Sequence, residues 1–366
     1  MERKGETSRK PRRGSRRLSG APTIADVARM AGVSPMTVSR VINADANVRE
    51  TTRAAVHAAI SALNYAPSRA ARSLAGAVQL RIGMLYSNPS AAYLSEFLVG
   101  GLDQAGRSDL QLVVEKCASE DPELGAVMRL VQSGVDGIIL PPPLCDSAPV
   151  YDALLAAGIP VVVVATGRAP DQMGSVRIDD FGAARAMTAH LIGLGHTRIG
   201  FIAGHPNLSA SAERAEGYRA ALAAAGIAFD PQLVAPGLFT YHSGLDAAEQ
   251  LLDRTEAPSA IFASNDDMAA AAVAVAHRRG LDVPGDLTVC GFDDSAIATT
   301  IWPELTTIHQ PIADMARAAV ELLVEAMRAR RGGREGEARH LLLPYTLVRR
   351  QSDAAPRRRP PVTANG

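Results

Sequence analysis

Residues 34–43 read Ser-Pro-Met-Thr-Val-Ser-Arg-Val-Ile-Asn, and helical spacing sorts them into two faces. Val38, Val41 and Ile42 point inward, which leaves Met36, Thr37, Ser39 and Arg40 available to a partner. An arginine flanked by hydroxyls and a thioether is equipment for gripping a polyanion. The charge distribution agrees: residues 1–76 hold 14 Lys or Arg against 5 Asp or Glu, so a basic head precedes an acidic remainder in a chain of zero net charge. Groups for bond-breaking chemistry are missing. No GxGxxG follows the first strand, and there is no GxxxxGK[ST], HExxH or GxSxG. The eight histidines are scattered and the three cysteines (Cys117, Cys145, Cys290) lie far apart without CxxC spacing. The sequence therefore predicts no catalytic residue, no metal site and no cofactor, and a reducing, cytoplasmic setting.

The elements that must position these residues come in two sets. Thr23 is placed to cap a first helix with Asp26 in its first turn, and Gly32 can take the left-handed turn that ends it. Ser34 then caps a second helix with Pro35 at its first position, and a third begins near Thr51. Beyond residue 80, short apolar runs at about 80–86, 110–115, 136–140, 160–165, 198–203, 259–264 and 286–292 read as buried parallel strands. Ala-rich segments of helical length lie between them, giving two successive βαβ series, hence an α/β fold in two lobes. No apolar run is long enough to span a membrane, and no apolar segment of a secretory signal follows the basic start. The arm 1–20 and the Pro/Arg-rich tail 351–366 are expected to be disordered.

The head resembles that of the lactose/galactose-repressor family. The resemblance rests on Thr23-Ile24-Ala25-Asp26-Val27-Ala28, Ala31-Gly32-Val33-Ser34 and Thr37-Val38-Ser39-Arg40-Val41-Ile42-Asn43. It continues through Val48, Ala58, Leu63-Asn64-Tyr65, Pro67 and Ala75-Gly76. It implies a helix-turn-helix domain over 21–67, a hinge helix and linker over 68–77, and an effector-binding and dimerisation domain over 78–350. Position by position it makes Pro35, Met36 and Arg40 the base readers. Arg40 can chelate guanine O6 and N7, and Met36 can touch a thymine methyl. Thr23, Ser34, Thr37, Ser39, Asn43 and Asn47 would hold phosphates. In the hinge, Leu74 would wedge a central base step of the minor groove, with Ala71 small enough for close approach. Core packing of Met36, a solvated surface arginine at Arg40 and interdomain packing of Leu74 are the competing readings.

From Leu80 onward the chain resembles the periplasmic-binding-protein-like body of the same family. Matching stretches include Ser133-Gly134-Val135-Asp136-Gly137-Ile138-Ile139, Ala263-Ser264-Asn265-Asp266, Gly291-Phe292-Asp293-Asp294 and Leu305-Thr306-Thr307-Ile308. The resemblance implies a near lobe of about 78–179 and 311–339 and a far lobe of about 180–308 and 340–350. A small-molecule effector would bind between them, at the carboxyl ends of the strands. Arg214, Asn265, Asp293 and Gln310 fall at effector-contact positions, and Phe239 at a ring-stacking position. Tyr86, Ser87 and Tyr93 follow the first strand and would supply the near side. Turn capping by Asn265 and Asp293, and plain packing by Phe239 and Tyr93, compete with these roles. Some relatives carry a sugar-binding acidic residue where this chain has Ala165-Thr166, so the effector class stays wide: a sugar, a sugar acid or a similar metabolite. The implied partners are a pseudo-palindromic operator DNA, the effector and a second copy of the chain, with Trp302 where relatives pack the dimer. An exported solute-binding protein, an enzyme and a sequence-blind DNA binder are the alternative classes. Whether the effector releases or promotes DNA binding stays open.

Overall fold

A computed structural model describes residues 22–42, 48–63, 65, 79–87, 90–117, 123–333 and 337–357. The expected arm 1–20, Asn43, Asn47 and the hinge with Ala71 and Leu74 lie outside the described residues. The chain forms two compact units, 1–79 and 80–366.

The head is three helices, α1 (Ile24–Ala31), α2 (Pro35–Ile42) and α3 (Glu50–Ala62). A reciprocal cap starts α1: Thr23 Oγ1 accepts the Asp26 N–H, and the Asp26 carboxylate accepts the Thr23 N–H at 2.9 Å. These bonds, the Thr23 side chain first, hold the Asp26 carboxyl below its usual range. The stop is Gly32 at φ 66°, a conformation that penalises any side chain. Two residues later Ser34 Oγ accepts the Thr37 N–H at 3.1 Å and so starts α2. Val27, Ala28, Val38, Val41, Val56 and Ala59 close a small core among the three helices.

The body has a first sheet built of β1 (Arg81–Tyr86), β2 (Gln111–Lys116), β3 (Gly137–Leu140), β4 (Val161–Val164) and β5 (Gly174–Arg177). Helices α4 (Ala91–Arg107), α5 (Glu123–Gln132) and α6 (Ala148–Ala157) connect its strands. The far lobe follows as α7 (Asp180–Gly193), β6 (Ile199–Ile202), α8 (Ser209–Ala224), β7 (Val234–Ala235) and α9 (Tyr241–Leu252). It continues with β8 (Ala260–Ala263), α10 (Asp266–Arg278), β9 (Thr288–Cys290) and α11 (Ile297–Thr300). Then β10 (Thr307–His309) leads to α12 (Ile312–Arg331), β11 (His340–Leu342) and β12 (Thr346–Val348).

The near sheet has the order β11-β5-β4-β3-β1-β2 and the far sheet β7-β6-β8-β9, and every pairing in both is parallel. β3, β4, β6 and β8 are buried along their whole length, as helices on both faces of a parallel sheet require. The chain crosses between lobes three times, after β5, after β10 and after β11, with β10 and β12 paired antiparallel at the crossing.

Two expectations are corrected. Residues 340–342, assigned to the far lobe, form β11 and pair with β5 of the near sheet. This strand is three residues long and largely exposed, so it carries no apolar run to reveal it. The tail does not turn disordered at 351: Gln351–Arg357 are ordered, with Ser352 and Asp353 buried. Val289 N–H donates to Ser352 O at 2.9 Å, so the tail covers the open edge of β9. His190 Nε2 lies 2.9 Å from Asp353 Oδ2, and His196 Nε2 donates to Ala354 O at 2.8 Å. A Pro/Arg-rich composition cannot reveal that particular Ser and Asp groups satisfy a sheet edge.

Candidate functional site

On the head, Pro35, Met36 and Arg40 are exposed on one side of α2, with Met36 66% accessible. This contradicts a core role for Met36. Thr37 and Ser39 are half-buried, and Thr23 and Ser34 are exposed. The hydroxyls serve the caps as well: Ser34 Oγ and Thr37 Oγ1 are 2.9 Å apart, and Thr23 Oγ1 donates to Asp26 Oδ2 at 2.6 Å.

On the body, Tyr93, Arg214, Phe239, Asn265, Asp293 and Gln310 line one cleft between the lobes, about 490 Å³ with its solvent-open mouth included. Arg214 projects from α8 and is 4% exposed. Its Nε donates to Asp180 Oδ1 at 2.7 Å and its Nη1 to Ser264 O at 2.6 Å, with Asp293 Oδ1 3.9 Å from Nη1. The guanidinium also lies over the Phe292 ring, 3.5 Å from its centre. Nε and Nη1 are thus occupied by protein oxygens, which leaves Nη2 as the part of the fork for a ligand. Burial raises the carboxyl pKa of Asp180, against the pull of Arg214. Burial likewise pushes Asp293 well above the carboxylate range, and behind it Asp266 is raised to about 7.

Gln310 donates through Nε2 to Asp293 Oδ1 at 2.5 Å, while its Oε1 is buried without a hydrogen-bond partner. Tyr93 Oη is likewise buried and unpartnered. Unsatisfied buried polar atoms are expensive, and here two of them line the same cleft. Strain gathers in the same place. Ala165, Phe239 and Asp293 all adopt positive φ (59°, 60° and 115°) without being glycine. Phe239 is held there from two sides. Asn265 Nδ2 donates to its carbonyl at 3.1 Å, and its ring presses on Gly204, where a Cβ would fall 2.1 Å from Cζ.

Asn265 is the cap of α10, with Oδ1 accepting the Met268 N–H at 3.0 Å. Its amide is spent on the backbone, so it shapes the cleft wall. Tyr86 is half-buried and Ser87 exposed, and neither belongs to the cleft lining. Strand β1 ends at Tyr86, and the near wall is built further on, from the start of α4. Sequence reasoning missed Ser90, Pro142, Pro143, Ala165, Leu208 and Ala210 as lining residues. These are small or apolar and carry no chemical cue. Their signal was topological, since they follow β1, β3, β4 and β6 at the carboxyl ends of parallel strands.

Residues 23–68 match the family described as bacterial regulatory proteins, lacI family, and residues 188–352 match the periplasmic binding protein-like domain. The HTH-type transcriptional regulator CelR of Thermobifida fusca is 38% identical over 340 residues, covering 90% of this chain and 98% of the relative. The structure of a transcriptional regulator CelR–cellobiose complex matches 90% of this chain and 99% of its own, with TM-score 0.70 and 34% identity. The lac repressor dimer bound to operator and the anti-inducer ONPF matches 92% of this chain and 100% of its own, with TM-score 0.73 and 30% identity. With a capped helix-turn-helix head, a two-lobed parallel body and relatives aligned nearly end to end, the chain belongs to the lactose/galactose-repressor family of DNA-binding transcriptional regulators.

Proposed function

We propose that this regulator, acting as a dimer in the cytoplasm, reads a pseudo-palindromic operator through Pro35, Met36 and Arg40. The inter-lobe cleft would bind an uncharged, hydroxyl-bearing effector such as a neutral sugar, and retain it unchanged. Exposure of all three readers on one side of α2 supports the DNA half. Val99 and Leu102 on α4, 63% and 56% exposed, together with Trp302 at 75%, offer apolar surface to a second copy.

The observation that carries the effector half is the charge state of the cleft. Arg214 is already matched by Asp180 at 2.7 Å and approached by Asp293 at 3.9 Å. An incoming carboxylate or phosphate would meet a guanidinium already paired with Asp180, and so no unspent positive charge. A hydroxyl meets what it needs: it can donate to Gln310 Oε1 and accept from Arg214 Nη2. The apolar walls, Pro142, Pro143, Leu208 and Phe239, suit the carbon faces of a ring. This narrows the class read from the sequence by removing sugar acids.

The allosteric consequence follows from linkage. An effector that binds one arrangement of the lobes changes operator affinity, and the operator changes effector affinity by the same factor. Titration calorimetry of the full chain tests the effector half, using neutral sugars, cellobiose among them, alongside the matching aldonic acids and 6-phosphates. Binding of a neutral sugar at least tenfold tighter than its anionic counterparts is expected; preference for the anion would refute it. Selection of bound duplexes from a random pool at near-physiological salt tests the DNA half, which requires an enriched palindrome.

A further inference from the structure

Helix α8 carries Arg214 but has no cap of its own, because Leu208 before its first turn offers no side-chain acceptor. The acceptor comes from the other lobe. Asp146, a half-buried residue after β3, takes the Ser209 N–H on Oδ2 at 2.8 Å. The Ser209 hydroxyl lies 2.9 and 3.0 Å from the two oxygens of the same carboxylate. Near-lobe residues close the clasp: Thr166 Oγ1 donates to Asp146 Oδ1 at 2.5 Å, and Gly167 N–H donates to Ser209 Oγ at 2.8 Å. A second bridge, Ser90 Oγ to Asp267 Oδ2 at 2.7 Å, joins the start of α4 to the first turn of α10.

We infer that Asp146 is a positioning residue for the effector cleft, an N-cap supplied from across the gap that holds the lobes closed. The physical reason is that separating the lobes strips α8 of the only side-chain cap it has among the described residues, and leaves the positive end of the helix without its carboxylate. Ser209 is five residues before Arg214 on the same helix. The bond that closes the lobes therefore also anchors the first turn of the helix that brings the arginine to the cleft. Closure is thereby built partly from protein–protein bonds, and a ligand has only to add to them. The consequence for effector affinity rests on the cleft reading above; the closure itself does not, and can be measured without any ligand.

Cys117, Cys145 and Cys290 are buried, so spin labels can be directed to Asp152→Cys on α6 and Glu216→Cys on α8, both exposed positions in opposite lobes. Pulsed electron–electron resonance on the ligand-free full chain then reads the separation of the lobes. The labelled parent should give one dominant short distance. Asp146→Ala should raise the ratio of open to closed molecules roughly two- to thirty-fold, the range that loss of an N-cap produces. Asp146→Asn retains an acceptor for the Ser209 N–H and should restore most of the short distance. Ser209→Ala keeps its N–H but loses the hydroxyl bonds, and should fall between.

An open parent, or an Asp146→Ala distribution matching the parent, would overturn the inference, even if the variant melts at a lower temperature. If circular dichroism shows that Asp146→Ala does not fold, the decision passes to Ser209→Ala, whose unchanged distribution would overturn it equally. Failure of every sugar to bind in calorimetry would remove the effector class and leave this result standing.

Discussion

The two candidate sites place arginines in opposite circumstances. Arg40 stands on the outer side of a short helix, while Arg214 is buried over an aromatic ring, paired with Asp180 at 2.7 Å. The first faces solvent, and the second is enclosed by acids and lines the inter-lobe cleft. The exposure of a surface arginine can be read from its helix alone. What a buried one offers cannot, because it is set by the acids that the fold brings to it.

The comparison breaks most visibly in stability. Arg214→Ala would leave Asp180 and Asp293 buried without their cation, and should destabilise the body by about 3–5 kcal/mol. Urea unfolding of the full chain measures this, and a loss under about 1 kcal/mol would mean the pair is not mutually dependent. Arg40→Ala should leave that unfolding curve within about 0.5 kcal/mol of the parent. It should instead weaken binding to the selected operator by about 1–3 kcal/mol, and relax preference at one base pair. Equal affinity for operator and scrambled duplex in both proteins would remove the reading role. Smallest is the change at the cap: Thr23→Ala should cost about 1 kcal/mol, felt as faster amide exchange in α1 and not in the body. Matching exchange in both units would mean that they do not unfold independently.

Legibility follows the same division. The head could be read residue by residue because its determinants are neighbours: Thr23 with Asp26, Gly32 at its turn, and Ser34 with Thr37. The seven strands expected from apolar runs all occur, within one or two residues of the expected bounds. The five that were missed are β5, β7, β10, β11 and β12, at most four residues each and too short for a periodic signal. In the cleft, the five residues expected from the resemblance come together with Tyr93, expected from its place after the first strand, yet Tyr86 and Ser87 do not join them. Asn265 keeps its capping role, with both amide groups committed to backbone atoms.

What the sequence by itself determined is the local grammar: caps, turns, buried strands, a basic head and the family motifs that run through both units. These depend on residues a few positions apart, where spacing is a physical constraint. Only the tertiary structure decided which charges cancel, which tail segment covers a sheet edge, and where the lobes clasp. Asp180 meets Arg214 across 34 positions, Asp146 meets Ser209 across 63, and Ser90 meets Asp267 across 177. Such pairs exist because crossovers and loops carry distant strand ends to one cleft, and no period in the chain encodes that meeting.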